Sequence, residues 1–248
     1  MSSGHFDFGS LLVDGKYQAR IKDDRKQPPS WVKPETITFA IGDAGKNKVP
    51  NDASLSFLGT PGAEIYLIGQ VQQDSVPWLG WNTQHESIVQ NASGPVTFTL
   101  ESVQGPGEVA VYSTGSFGGL GTKYFGSISG FPKSMTVPIN QHVHGNWAFT
   151  KPGVYRLLIS QSVNLKSGES LKDTATLTIA VGDTSGVQKK VSYVGRTPAG
   201  DPCELDETQK AALAATGFQT DTYLMTTIAL ILIGSVLVTT RNRMRSGK

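Results

Sequence analysis

Val96-Thr97-Phe98-Thr99-Leu100-Glu101-Ser102 alternates apolar and polar side chains. In an extended strand this puts Val96, Phe98 and Leu100 on one face and Thr97, Thr99 and Glu101 on the other, the pattern of a half-buried strand. Working outward, short β-branched and aromatic runs recur at Thr36–Ile41, Glu64–Gln70, Glu108–Ser113, Val154–Gln161 and Thr174–Val181. Gly, Pro, Asn and Asp punctuate them, as turns require. Lys151-Pro152-Gly153-Val154-Tyr155 reads as a Pro-Gly turn leading into a strand, with an early tyrosine placed to bond back across the corner. The expectation is an all-β protein, an immunoglobulin-like β-sandwich over residues 4–182 in one copy, since no internal repeat is visible. Helical periodicity is missing until the tail, apart from a turn around Glu207–Ala215.

Composition agrees with a turn-rich β protein. The 248 residues are 38% hydrophobic and 17% charged, with 28 Gly and 13 Pro, which is too apolar for a disordered chain. The formal charge of +2 comes from 22 Lys and Arg against 20 Asp and Glu, and four of the 22 (Arg241, Arg243, Arg245 and Lys248) follow the last apolar stretch. The rest of the chain is therefore weakly acidic and lacks the basic footprint of a nucleic-acid partner. A single cysteine, Cys203, rules out an internal disulfide framework.

After Gly182 the composition shifts. Residues 183–212 hold Gly, Pro, Lys, Asp and Glu with one weak strand at Lys190–Val194, and read as a stalk. Residues 213–248 form the third segment. Leu224–Thr240 is apolar and hydroxylated throughout, carries no charge and is long enough to cross a bilayer as a helix. Tyr223 marks one edge, and the basic cluster marks the cytoplasmic side. The expected topology is a single pass with the N-terminus outside, so that residues 4–182 form an ectodomain on the outer face of the plasma membrane. Just upstream, Leu213-Ala214-Ala215-Thr216-Gly217 followed by an apolar span and a basic end resembles a sortase sorting signal. Its Ala second position resembles the variant used by class E sortases. That resemblance implies cleavage between Thr216 and Gly217 and attachment to the cell wall, through a nucleophilic thiolate that needs an extended, accessible segment. No signal peptide precedes the first strand-like run, so the expectation is a precursor that begins further upstream.

Two clusters carry chemistry. His142-Val143-His144 places two imidazoles on one face of a strand, and His5-Phe6-Asp7 does the same with an imidazole and a carboxylate. If the two strands lie side by side, His5, Asp7, His142 and His144 supply three nitrogens and one oxygen, a set suited to zinc or another divalent metal. His85, in a polar setting, is a spare. The bland account is a polar edge beside Trp147. Trp78-Leu79-Gly80-Trp81-Asn82-Thr83 is the second cluster and reads as a loop: Trp78 and Trp81 would either stack on sugar faces or plug the end of the sandwich, the plug being preferred. No catalytic set is present, neither a Gly-x-Ser-x-Gly elbow nor His-Glu-x-x-His, and the lone Cys lies in the stalk, so an enzyme is not expected.

Together, Gly4-His5-Phe6-Asp7, Asp14-Gly15, Pro77–Thr83, Gly105-Pro106-Gly107 and His142-Val143-His144-Gly145-Asn146-Trp147-Ala148-Phe149 resemble the actinobacterial surface-anchored repeat family, also described as choice-of-anchor M. The similarity covers residues 4–182, and the His-x-His-x-Asn-Trp-Ala-Phe stretch is its most specific part. The resemblance implies an exported, wall- or membrane-anchored protein associated with a metal ABC transporter, and carries a metal site onto His5, Asp7, His142 and His144. Two functions are expected to compete: a non-enzymatic surface module binding a divalent metal, and a structural or adhesive wall protein binding glycan or a host surface.

Overall fold

The computed structural model describes residues 1–116 and 118–182, and in addition the short segments 194–196 and 202–204. The chain divides into a compact unit, Met1–Gln188, and a second, Lys189–Lys248. Among the described residues the first unit has fifteen strands: β1 (Gly4–Val13), β2 (Lys16–Asp23), β3 (Ser30–Val32), β4 (Thr38–Ile41), β5 (Lys46–Lys48), β6 (Glu64–Ile68), β7 (Pro77–Asn82), β8 (Val96–Gln104), β9 (Val109–Thr114), β10 (Leu120–Gly126), β11 (Ser134–Val137), β12 (His142–His144), β13 (Asn146–Phe149), β14 (Gly153–Asn164) and β15 (Ser170–Val181). One short helix, α1 (Glu86–Asn91), and three 3-10 turns complete it. All-β is what the alternating runs called for.

The strands form three five-stranded sheets, ordered β12-β7-β1-β2-β3, β10-β9-β13-β6-β5 and β11-β8-β14-β15-β4. An immunoglobulin sandwich has two antiparallel sheets; here a third sheet is present, and β1–β7 and β15–β4 pair in parallel. One apolar core spans all three sheets, with Phe6, Phe8 and Leu79 from the first, Trp147 and Phe149 from the second, and Tyr155, Leu157 and Leu177 from the third. The second sheet is covered on its other face as well, where Ala110, Tyr112 and Ala148 meet Leu55, Leu58 and Phe131. That explains why Val109-Ala110-Val111-Tyr112 reads as a continuous apolar run: both faces of the strand are buried. The tyrosine corner forms as expected. Tyr155 Oη–H donates to the Lys151 carbonyl at 2.7 Å, with its ring fully buried.

Two features bring the functional strands together. β1 and β2 are joined by Asp14-Gly15, both at positive φ (50° and 74°), the backbone that a tight two-residue hairpin demands and that Asp-Gly readily adopts. β12 and β13 are consecutive yet belong to different sheets, the chain switching at Gly145. The buried Trp147 Nε1–H, just past that switch, donates to the Leu79 carbonyl of β7 at 3.0 Å and so ties the second sheet to the first.

In the second unit the described residues are Val194–Arg196 and Pro202–Glu204, a short antiparallel pair that includes Cys203. The pair begins at Val194, the last residue of the strand expected at Lys190–Val194, the rest of which lies outside the described residues. The sorting motif with Thr216 and Gly217, and the apolar span at Leu224–Thr240, lie outside the described residues. Among the described residues no helix is long and apolar enough to cross a membrane.

Candidate metal centre

From sequence, convergence of the four residues is conditional on the His5 strand lying beside the His142 strand. The structure inserts β7 between them: Asp7 lies opposite Gly80, and Gly80 lies opposite His144. The residues still converge, because side chains two apart on each strand share a face. His5 and Asp7 of β1 and His142 and His144 of β12 all rise on the sheet face away from the core, and the middle strand offers only Gly80 at the crossing point. A Cβ there would lie 2.7 Å from the Val143 carbonyl oxygen and 2.8 Å from both Asp7 Oδ1 and His144 Cε1. Glycine is the residue that lets side chains from two non-adjacent strands meet above a third.

The resulting geometry is compact. His5 Nε2 is 3.1 Å from His142 Nε2 and 3.1 Å from His144 Nε2, and the latter two are 3.0 Å apart. Asp7 Oδ1 lies 3.3, 3.0 and 3.5 Å from the three nitrogens of His5, His142 and His144. Four atoms with six nearly equal separations mark the corners of a tetrahedron. The centre of a regular tetrahedron with an edge of about 3.2 Å lies about 2.0 Å from each corner, which is the zinc–imidazole and zinc–carboxylate bond length. The larger calcium ion wants six to eight oxygens at longer range, and magnesium wants an oxygen octahedron, so neither suits this set.

Hydrogen bonding alone does not account for the cluster. A neutral imidazole nitrogen is either a donor or an acceptor. Among three Nε2 atoms in mutual contact, at least two must therefore play the same role and oppose each other. A cation resolves the conflict by accepting all three lone pairs at once.

The surrounding residues hold this arrangement. His5 Nδ1 meets Asp24 Oδ2 at 3.1 Å, and Asp24 is itself paired with Lys22 Nζ at 2.9 Å. That is a carboxylate–histidine pair of the kind that fixes a metal ligand's tautomer. The second oxygen of the fully buried Asp7 accepts from Asn82 Nδ2 at 3.2 Å. His144 lies flat against Trp78, ring centroids 3.7 Å apart and planes 13° apart, and Trp78 Nε1–H is anchored on the Gln70 carbonyl at 3.1 Å.

Electrostatics separate the candidate ligands. Burial alone would raise the Asp7 carboxyl, but the hydrogen bonds and charge of His142 and His5 outweigh it and hold the group well below the usual carboxylate range. The hydrogen bond to Asp7 raises His142 against the opposing effect of burial. Burial dominates at His144 and lowers it to about 4, which keeps that imidazole neutral, as ligation requires.

The other predicted residues fall elsewhere. His85 caps α1, its Nδ1 accepting the Ser87 N–H at 3.2 Å, and takes no part in the cluster. Trp81 is core: it is 2% exposed and packs edge-on against Tyr124 and Trp147, so no sugar reaches it. The Trp78–Thr83 stretch is therefore not a loop but mostly strand β7, and the two tryptophans point to opposite sides of it. Asp24, Gly80 and Asn82 carried no signal in the sequence; Gly80 and Asn82 become visible only once β7 is known to be the strand between.

The chain matches no family model, no curated protein and no solved structure, so the family resemblance rests on the motifs themselves.

Proposed function

We propose that the first compact unit is a non-enzymatic binding module that holds one divalent first-row metal ion, zinc above all, in the His5–Asp7–His142–His144 tetrahedron. The observation that carries this reading is the set of six ligand-atom separations between 3.0 and 3.5 Å. Catalytic zinc sites keep a coordination position for water, whereas this set supplies all four from the protein, the pattern of an ion that is held rather than used. Zinc, which has no geometric preference from its d electrons, suits a tetrahedral nitrogen-rich site better than copper(II), which favours tetragonal geometry.

Surface display is part of the proposal and rests on the sequence alone: the apolar span at Leu224–Thr240, its basic flank and the Leu213–Gly217 sorting motif. Delivery of the ion to a metal ABC transporter rests on the family resemblance. An immunoglobulin-like origin for the sheet containing β14 is likewise proposed, on the strength of its tyrosine corner. The competing adhesive reading loses Trp81 as a contact, and Trp78 is engaged with His144.

Equilibrium dialysis of the full chain against zinc tests the site. One tightly held ion per chain is expected, lost in the His142→Ala/His144→Ala double variant. Equal, negligible uptake by both proteins would remove the metal reading.

A further inference from the structure

The four ligands are not held equally, and the asymmetry has a direction. Asp7 is fully buried and braced by Asn82. The His144 side chain is only 8% exposed and lies under Trp78. His5 is 23% exposed, but its outer nitrogen is fixed by Asp24. His142 is the most open at 31%, and among the described residues its ring has no neighbour comparable to Asp24, Asn82 or Trp78: its contacts there within hydrogen-bond range are the other three ligands. It also stands at one end of β12, a three-residue strand at the sheet edge, paired among the described residues with β7 alone.

Resting on the metal-binding reading, we infer that His142 is the exchange ligand of the site. The ion enters and leaves on the His142 side, with His142 swinging off to admit a donor atom from the incoming acceptor while His5, Asp7 and His144 keep hold. The remaining three ligands form a two-nitrogen, one-oxygen set with one open position, and such three-ligand sites still bind zinc. The step is a ligand substitution: the zinc–His142 Nε2 bond breaks, a lone pair from the acceptor forms a new bond, and no electron changes hands. The acceptor this fits is a nitrogen or oxygen donor presented by another molecule, which allows transfer without passage through free solution.

The inference is tested on the zinc-loaded full chain by following transfer to the chromophoric chelator pyridylazoresorcinol. The wild-type rate should rise with chelator concentration, since the acceptor takes part in the step. His142→Ala should retain zinc yet transfer it at least about tenfold faster, whereas His144→Ala should fail to retain it. Loaded with cobalt(II), His142→Ala should shift its visible spectrum on addition of azide, and the wild type should not. In imidazole nitrogen–proton spectra of the zinc-loaded wild type, exchange broadening should be confined to His142. Complete loss of zinc from His142→Ala, or broadening centred on His5 or His144, would overturn the assignment while leaving the metal site intact. A wild-type chain that retains no zinc would instead overturn the metal reading, and the inference with it.

Discussion

A methyl group at Gly80 has nowhere to go: backbone and two ligand side chains already stand within 2.8 Å of its position. Gly80→Ala is expected to destabilise the fold by roughly 1–3 kcal/mol, the usual range for overpacking a filled site. It should also weaken zinc binding, because Asp7 and His144 must part to admit it. Urea unfolding together with zinc titration would check both. Asp24 predicts the opposite combination. Its side chain is 12% exposed, and its partners are His5 and Lys22 at the rim. Asp24→Ala should therefore shift metal-free stability modestly, by about 1 kcal/mol or less for the lost pairs, and lower zinc affinity roughly 10–100-fold through loss of the grip on His5. A change in unfolding midpoint without a change in affinity would show that Asp24 is merely structural. The period-two rule made the pairing of each two ligands within a strand legible from sequence alone. Nothing local in the sequence marks a glycine that must be bare or an aspartate that steadies a histidine, because both roles depend on which strand lies next door.

Among the elements, the corner before β14 is the plainest case of sequence dictating geometry. Pro-Gly turns the chain, and Tyr155 closes the turn by donating to Lys151. Tyr155→Phe keeps the buried ring and its packing on Phe149, and removes both hydroxyl bonds, the one donated to the Lys151 carbonyl and the one accepted from the Lys151 N–H at 3.3 Å, so a loss of about 1–2 kcal/mol is expected in chemical denaturation. A neutral result would mean that the turn is held by its backbone alone. The order of strands was far less legible. β1 and β12 carry complementary candidate ligands, and the sequence could only pose their adjacency as a condition; the structure inserts β7, whose parallel pairing with β1 joins segments some seventy residues apart. Once β7 is seen as a strand, period two separates its tryptophans at once, Trp78 toward the ligands with Gly80 and Asn82, Trp81 toward the core with Leu79. Its Gly and Asn, and the turn residues on either side, had read as a loop. The third sheet was hidden for a related reason. Runs buried on both faces, such as Val109–Tyr112, lose the alternation that would have assigned them a side.

For the whole molecule, an ion bound only by the folded state must raise its stability. At a free zinc concentration one hundred times the dissociation constant the gain is about 2.7 kcal/mol, which for a unit of this size corresponds to a rise of roughly 5–11 °C in melting temperature. Calorimetry with and without zinc would measure it, and an unchanged Tm would count against specific binding. Affinity should also depend on pH with a definite sign. Asp7 raises His142, so that imidazole keeps its proton to higher pH than an ordinary histidine, and zinc must displace it. Binding is therefore expected to be strongest above the His142 titration and to weaken as pH falls through it. His144, lowered to about 4, adds little competition until far more acid conditions. Titration calorimetry in buffers of different ionisation enthalpy would show proton release growing as the pH is lowered toward that range. The ligands come from positions 5 and 7 on one side and 142 and 144 on the other, above a strand that supplies none of them. A nascent chain in which His142 and His144 have not yet emerged, or one that has lost the segment carrying His5 and Asp7, possesses at most one half of the cage. On the proposed reading, metal capture therefore waits until β1 and β12 have both docked on β7, and a bound ion would certify that these distant segments have found each other.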